Sequence, residues 1–338
     1  QPCRHTRQPS KKNSLPKQDR NKVPVSEKPD RNVTPLSSLL SRNTIRIQIN
    51  EAIMTNTTYI PTPGSTIAVH NSGRGEPVVF LHSSASNAGQ WRNVIDRMDH
   101  AFHCQAVDLP GYGASTPWAG QGRRTLAADA EIVARIARDL DRPVHLVGHS
   151  FGGAVALAAT LEHTHTVASL TVIEPVSFHL LGNAGDENHD AVTQLRDTVF
   201  EGLCSGDRNR AMGCFIDYWN GTGTWASLSH DRQERFTKHL DRIVLEFTAA
   251  FEAPYTRSDY CSIQVSTTVI SGVLSPRPAR HLCSTFAEAL PQAWLHMVTG
   301  AGHMLPITHP HETVALLRRH LTTLSASRQQ ASERSQAA

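Results

Sequence analysis

The stretch "VHLVGHSFGGAVALAA", Val144 to Ala159, constrains the fold more than any other part of the chain. An apolar run of strand length is followed at once by a small-residue run of helical length, with Gly148-His149-Ser150 at the junction. The pattern from Gly148 to Gly152, G-x-S-x-G, suits a serine carried on a tight strand-to-helix turn. Glycines two residues to either side remove side chains that would collide, and the hydroxyl is left above the sheet. Ser150 is therefore the candidate nucleophile.

From about Ile45 onward, short β-forming runs alternate with longer helical stretches. Strands are expected at 45–50, 66–70, 77–81, 102–108, 143–147, 168–173, 267–271 and 294–298. Between two of them Leu126, Ala130, Val133, Ile136, Ala137 and Leu140 recur at helical spacing and predict an amphipathic crossover helix. This alternation implies an α/β fold with a mostly parallel eight-stranded sheet flanked by helices. It stops between 176 and 262, a stretch that reads as helices and loops and holds 11 of the 20 aromatic residues. That density makes Phe215, Trp219 and Trp225 candidate substrate-binding residues of a lid, or else the core of a small helical subdomain.

Charge is unevenly spread. Residues 1–46 carry 11 Lys/Arg against 3 Asp/Glu, so the rest of the chain is net acidic although the whole is +3. A basic face for nucleic acid is not expected, because the excess sits in a Pro-, Ser-, Asn- and Gln-rich segment that cannot bury enough apolar surface to order itself. Residues 1–44 are read as a disordered basic tail and 325–338 as a polar C-terminal tail. The tail has no apolar run of signal-peptide form, and no stretch reaches the roughly 18 apolar residues of a membrane span, so a cytoplasmic protein without membrane partners is expected. Cys3, Cys104, Cys204, Cys214, Cys261 and Cys283 are scattered with no C-x-x-C pair, which argues against a zinc cage or a disulfide framework. No His cluster has metal-ligand spacing.

Over about residues 60–324 the chain resembles the α/β-hydrolase fold family. "VVFLHSSASNAGQW" is similar to the family's loop after the third strand and "VDLPGYGAST" to its D-x-P-G-x-G-x-S turn; "LVGHSFGGA" resembles its nucleophile elbow and "GAGHMLP" its histidine loop. The resemblance implies a core formed by 45–175 and 263–324, with a helical cap at 176–262 inserted after strand 6. It assigns the general base to His303, where the Gly300-Ala301-Gly302 lead-in lets a loop bring the ring close to Ser150. His82, His149, His163 and His165 read as structural or surface residues.

The third member departs from the common pattern, in which an acid follows the seventh strand. Ser275 stands at that position, whereas Glu174 follows the sixth strand, where some members carry the acid. Glu174 is the candidate, with Asp259 or no acid at all as the alternatives. The resemblance also assigns oxyanion donors to the backbone N–H groups of Ser84 and Phe151. Most relatives have Gly where Ser83 stands, and a Ser83 or Ser84 hydroxyl could serve as a further donor.

These residues together imply a Ser-His-Glu serine hydrolase that cleaves an ester, thioester or lactone of a small, largely apolar substrate through an acyl-enzyme. No cofactor or metal is required, and a monomer or homodimer is expected. A serine in place of aspartate argues against epoxide opening or halide removal through an alkyl-enzyme ester. Two alternatives stand beside it: an acyltransferase or perhydrolase using the same residues, and a non-catalytic small-molecule-binding member, for which the serine at 275 is the best support.

Overall fold

The computed structural model describes residues 56–98, 101–120 and 123–322; the tails at 1–44 and 325–338 and the strand expected at 45–50 lie outside these. The sheet opens with an antiparallel pair, β1 (Asn56–Thr62) and β2 (Ser65–Ser72), joined so tightly that Thr62 pairs with Ser65. Then come β3 (Glu76–Leu81), α1 (Arg92–Ile95), β4 (Phe102–Val107), α2 (Leu126–Asp139), β5 (Val144–His149), α3 (Phe151–Glu162) and β6 (Val167–Ile173). Six helices separate β6 from the next strand: α4 (Glu187–Ser205), α5 (Arg208–Asn220), α6 (Thr224–Ser227), α7 (His230–Thr237), α8 (Leu240–Phe251) and α9 (Arg257–Tyr260). The chain then returns through β7 (Thr267–Gly272), α10 (Arg277–Ala289), β8 (Ala293–Val298) and α11 (Leu305–Thr308) to a last helix, α12, over 310–322.

The eight strands lie in the order β1-β2-β4-β3-β5-β6-β7-β8. β2 pairs antiparallel with β1 and β4, and every later pairing is parallel. Seven of the expected strands recur with small shifts at their ends. The remaining strand of the sheet, β1 at 56–62, is not among those expected. Its burial is nearly featureless, with only Ile60 buried, so no alternation marks it in the sequence. Pro61 is tolerated because β1 is an edge strand.

Parallel strands covered on both sides are apolar on both faces, and β3 shows the division. Val79 and Leu81 face one core, where Val133 of α2 and Val155 of α3 pack; Val78 and Phe80 face the other, with Trp91, Leu305 and Leu317. β5 is buried along its whole length between β3 and β6, so whatever leaves its C-terminal end emerges in the middle of the sheet. Parallel α/β sheets place their binding crevice at those ends. α3 is small and apolar all round and is buried from Phe151 to Thr160, which holds the turn preceding it against both neighbouring strands.

Candidate active site

Ser150 occupies the single-residue turn between β5 and α3, with φ 56° and ψ −117°. A non-glycine residue rarely takes a positive φ, and holding it there costs of order 1–3 kcal/mol. The surroundings enforce it. The Ser150 N–H donates to the Ile173 carbonyl on β6, and the Gly152 N–H donates to the carbonyl of His82 beyond β3. A Cβ on Gly148 would strike the Gly152 carbonyl, and one on Gly152 would strike the carbonyls of Leu81 and His82. Both glycines are thus required by close approach of backbone.

His303 arrives on the loop after β8 and is almost fully buried. Gly300 turns this loop at φ 76°, and Gly272 at the end of β7 leaves room for its approach, since a Cβ there would meet the Ala301 carbonyl. The His303 Nε2 lies 3.0 Å from Ser150 Oγ, and its Nδ1 lies 2.6 Å from Glu174 Oε2. An ionised carboxylate only accepts, so Nδ1 carries the proton and Nε2 is left to accept from the serine hydroxyl. His149 supports the loop from below by donating from its own Nε2 to the His303 carbonyl at 2.8 Å. Burial, followed by the charge of His303, lowers the His149 pKa to about 3, so this ring stays neutral.

Glu174 follows β6 directly and, like Ser150, has a positive φ, 46°. Its N–H donates to Ile270 on β7. Its second oxygen, Oε1, accepts from the Gly272 amide at 2.6 Å and the Ser271 hydroxyl at 3.0 Å. Burial alone would raise its pKa; the bond to and charge of His303, the Ser275 hydroxyl and the Gly272 amide outweigh that and hold it below the ordinary value. Ser275 therefore sits beside the acid it would replace. Asp259, by contrast, is exposed and its carboxylate accepts from Thr256 at the start of α9.

The loop after β3 closes the site. Ser83 donates from both its amide and its hydroxyl to Gln90 Oε1, at 3.1 and 2.8 Å, and the Ala85 amide donates to the Tyr112 hydroxyl. The Ser83 hydroxyl is thus committed to the loop and is not free to act as a further oxyanion donor. His82 is fixed at both nitrogens: Nε2 accepts from Leu109 N, and Nδ1 donates to the Ser83 carbonyl. Ser84, Ser150 and Phe151 line one cavity.

Two connected hollows flank the Ser150 hydroxyl. One, of about 510 Å³, runs from Ser84 past Ile216, Trp219 and Met304 to Ile307. The other, of about 280 Å³, reaches past Phe178, Ile243 and Phe247. Phe215 and Trp219, on α5, line both, and the Trp219 ring lies 4.2 Å from that of His303 between centroids. Trp225 is elsewhere: it packs beside Gly213 with its amide held by Asp217, inside the helical segment rather than on the wall of either hollow. An aromatic cluster shows density and not direction, so proximity in sequence to Trp219 misplaced it.

The sequence pattern did not single out Glu246, a buried carboxylate on α8 that lines the smaller hollow. The available signal was its position. Leu240, Ile243, Phe247 and Ala250 form the apolar face of α8, and Glu246 falls on that face. Among the described residues no group of three or more His, Cys, Asp or Glu side chains could hold a metal ion, and no helix is long and apolar enough to cross a membrane.

A profile of the alpha/beta hydrolase family matches residues 78–316. Among similar proteins is the dihydrolipoyllysine-residue acetyltransferase component of the acetoin cleaving system of Cupriavidus necator, 29% identical over 74% of this chain and 64% of that protein. The chain thus spans less than two thirds of that relative's length. The pimeloyl-[acyl-carrier protein] methyl ester esterase of Yersinia pseudotuberculosis is 26% identical over 73% of this chain and 94% of its own. In structure, a hydrolase from Pseudomonas aeruginosa PA01 superposes with a TM-score of 0.66 at 20% identity, over 79% of this chain and 98% of that one. That match is one of fold. With the family profile covering most of the sheet and the loops at its C-terminal edge, the chain belongs to the alpha/beta hydrolase family.

Proposed function

We propose that the protein is a serine hydrolase of carboxylic esters, thioesters or lactones that works through an acyl-enzyme. The observation that carries this reading is the continuous hydrogen-bonded line from Ser150 Oγ through His303 to Glu174, buried at the floor of an apolar cleft. The Ser150 proton passes to His303 Nε2 as Oγ attacks the carbonyl carbon. Glu174 stabilises the imidazolium so formed. Negative charge develops on the former carbonyl oxygen, facing the N–H groups of Ser84 and Phe151, and collapse of the intermediate sends the proton from His303 to the leaving group. Water then attacks the acyl-enzyme with the same proton transfers and returns Ser150.

In this reading residues 176–262 act as a cap. Trp219 and Phe215 cover His303 and Ser150, exclude bulk water and present an apolar surface to the substrate. The substrate is a small molecule with a largely apolar acyl part, and the site acts in the cytoplasm without cofactor or metal. The esterase name of the Yersinia relative agrees with ester cleavage. The acetyltransferase name of the Cupriavidus relative favours a second reading, transfer of the acyl group to an acceptor other than water, by the same residues.

A fluorophosphonate probe tests the nucleophile: wild type is labelled at Ser150 and Ser150→Ala is not. Ester hydrolysis by that variant should fall on the order of 10⁴ to 10⁶-fold. Absence of labelling in the folded wild type would favour a binding protein. Acylation that proceeds to a new ester only when an alcohol is supplied would favour transfer.

A further inference from the structure

The smaller hollow beside Ser150 is apolar except at one place. Glu246 contributes a carboxyl group to its wall, with Ser84, Ser150 and Phe151 on the same surface. None of the hydrolytic steps uses it. Its side chain is only 2% exposed, and neither carboxyl oxygen has a partner at full hydrogen-bond distance among the described residues, although the Ser84 and Tyr112 hydroxyls lie near it. The nearest cation, Arg124, lies 3.7 Å away, too far for a hydrogen bond, and is already taken by Asp129, whose carboxylate it meets at 2.9 Å. One buried guanidinium thus stands between two buried carboxylates. An unsatisfied carboxyl group in an apolar wall is costly, and a donor arriving with a ligand would relieve that cost.

We infer that Glu246 is the recognition point of an acyl subsite, and that it selects acyl groups bearing a neutral hydrogen-bond donor, a hydroxyl or an amide N–H, a few atoms from the scissile carbonyl. This rests on the reading of Ser150 as the acylated nucleophile. The hollow is small, about 280 Å³ with its open mouth included, which restricts the acyl part to a short or medium chain. Phe178, Ile243 and Phe247 make the rest of that chain apolar. A cationic substrate is disfavoured because Arg124 faces the same carboxyl. Tyr112 and Ser84 also approach Glu246, and burial, only partly offset by Arg124 and these hydroxyls, raises its pKa to about 7. Charged or neutral, it keeps an acceptor oxygen.

The test compares p-nitrophenyl hexanoate with hexanoates carrying a hydroxyl at carbon 2 or 3, and with the matching methoxy compounds, which keep the oxygen but cannot donate. For at least one position, wild type should show kcat/KM about tenfold or more higher for the hydroxy than for the methoxy ester, the range expected of a buried hydrogen bond to a carboxyl group. Glu246→Leu should abolish that ratio. Glu246→Gln, which keeps an acceptor oxygen and the side-chain shape, should retain part of it. Equal rates for every hydroxy and methoxy pair in wild type would overturn the subsite and leave the hydrolase reading intact, with no variant needed. A ratio that survives unchanged in both variants would also overturn it. No turnover of any ester, with Ser150 unlabelled by fluorophosphonate, would remove both readings together.

Discussion

Ser150 and Glu174 share an uncommon backbone state, φ 56° and 46°, and each follows directly on a buried parallel strand. Strain at both positions is imposed by their neighbours and aims the two side chains at one imidazole. Ser150→Gly should therefore be more stable than Ser150→Ala by about 1 kcal/mol, since only glycine adopts this conformation without penalty, although both lack the hydroxyl. A difference of roughly 2–4 °C in melting temperature would show it; equal values would mean that the turn is not strained. Glu174→Gln keeps the shape but removes the charge that stabilises the imidazolium, and can present an N–H to His303 Nδ1. Its kcat should fall about 10⁴-fold by analogy with the serine protease template, while Asp259→Asn should leave kcat unchanged. Equal effects of the two would remove Glu174 from the line. Ser150 and His303 were legible because each stands in a short motif whose glycines are needed within a few residues. Glu174 was legible only because Ser275 vacates the common position. Glu246 was not, because its role depends on which way α8 faces.

At the scale of elements, the β5–α3 junction shows why the sequence pattern and the geometry agree. Gly148 and Gly152 are one turn apart and must approach each other and the end of β3, so the spacing of the motif is set by backbone contact. Gly152→Ala places a methyl group against the carbonyls of Leu81 and His82, which belong to the strand leading into the Ser84 loop. The expected cost is about 1–3 kcal/mol of stability, as for other overpacked sites, together with a fall in kcat larger than in KM because the proposed oxyanion donors and the proposed nucleophile move apart. Denaturant unfolding and steady-state kinetics measure the two effects; a variant with wild-type stability and kcat would contradict the close approach. Where packing dictates both faces of a strand, as in β3 and β5, apolar runs marked the elements correctly. At the antiparallel edge, β1 pairs along one side, buries little more than Ile60 and includes Pro61, so neither period nor propensity announced it. The helical segment was visible as a break in the alternation, yet which of its aromatic residues face the cleft depends on helix rotation. Phe215 and Trp219 share one face of α5, whereas Trp225 belongs to the next helix.

At the scale of the whole molecule, several histidines among the described residues are deeply buried. Burial holds His82 at about 4, His149 at about 3, His239 at about 4 and His320 at about 4. Each takes up a proton in the unfolded chain near pH 6.5 but not in the folded one, so its contribution to stability is present above pH 6.5 and lost as pH falls toward its folded value. Glu246 acts in the opposite sense. Its folded pKa of about 7 lies above the unfolded carboxyl value, so ionisation opposes folding increasingly as pH rises from roughly 4.5 to 7. With four such histidines against one carboxyl, unfolding takes up protons on balance near pH 5–6, and stability rises with pH across that window. Glu246→Gln removes the opposing group. Its stability should therefore climb more steeply across this window, by roughly 1 kcal/mol per pH unit, and should exceed that of wild type most clearly above pH 7, where the buried carboxylate is ionised. Urea unfolding at pH 5, 6, 7 and 8 measures both slopes. Parallel curves for the two proteins would mean that Glu246 titrates as it does in water and does not oppose folding.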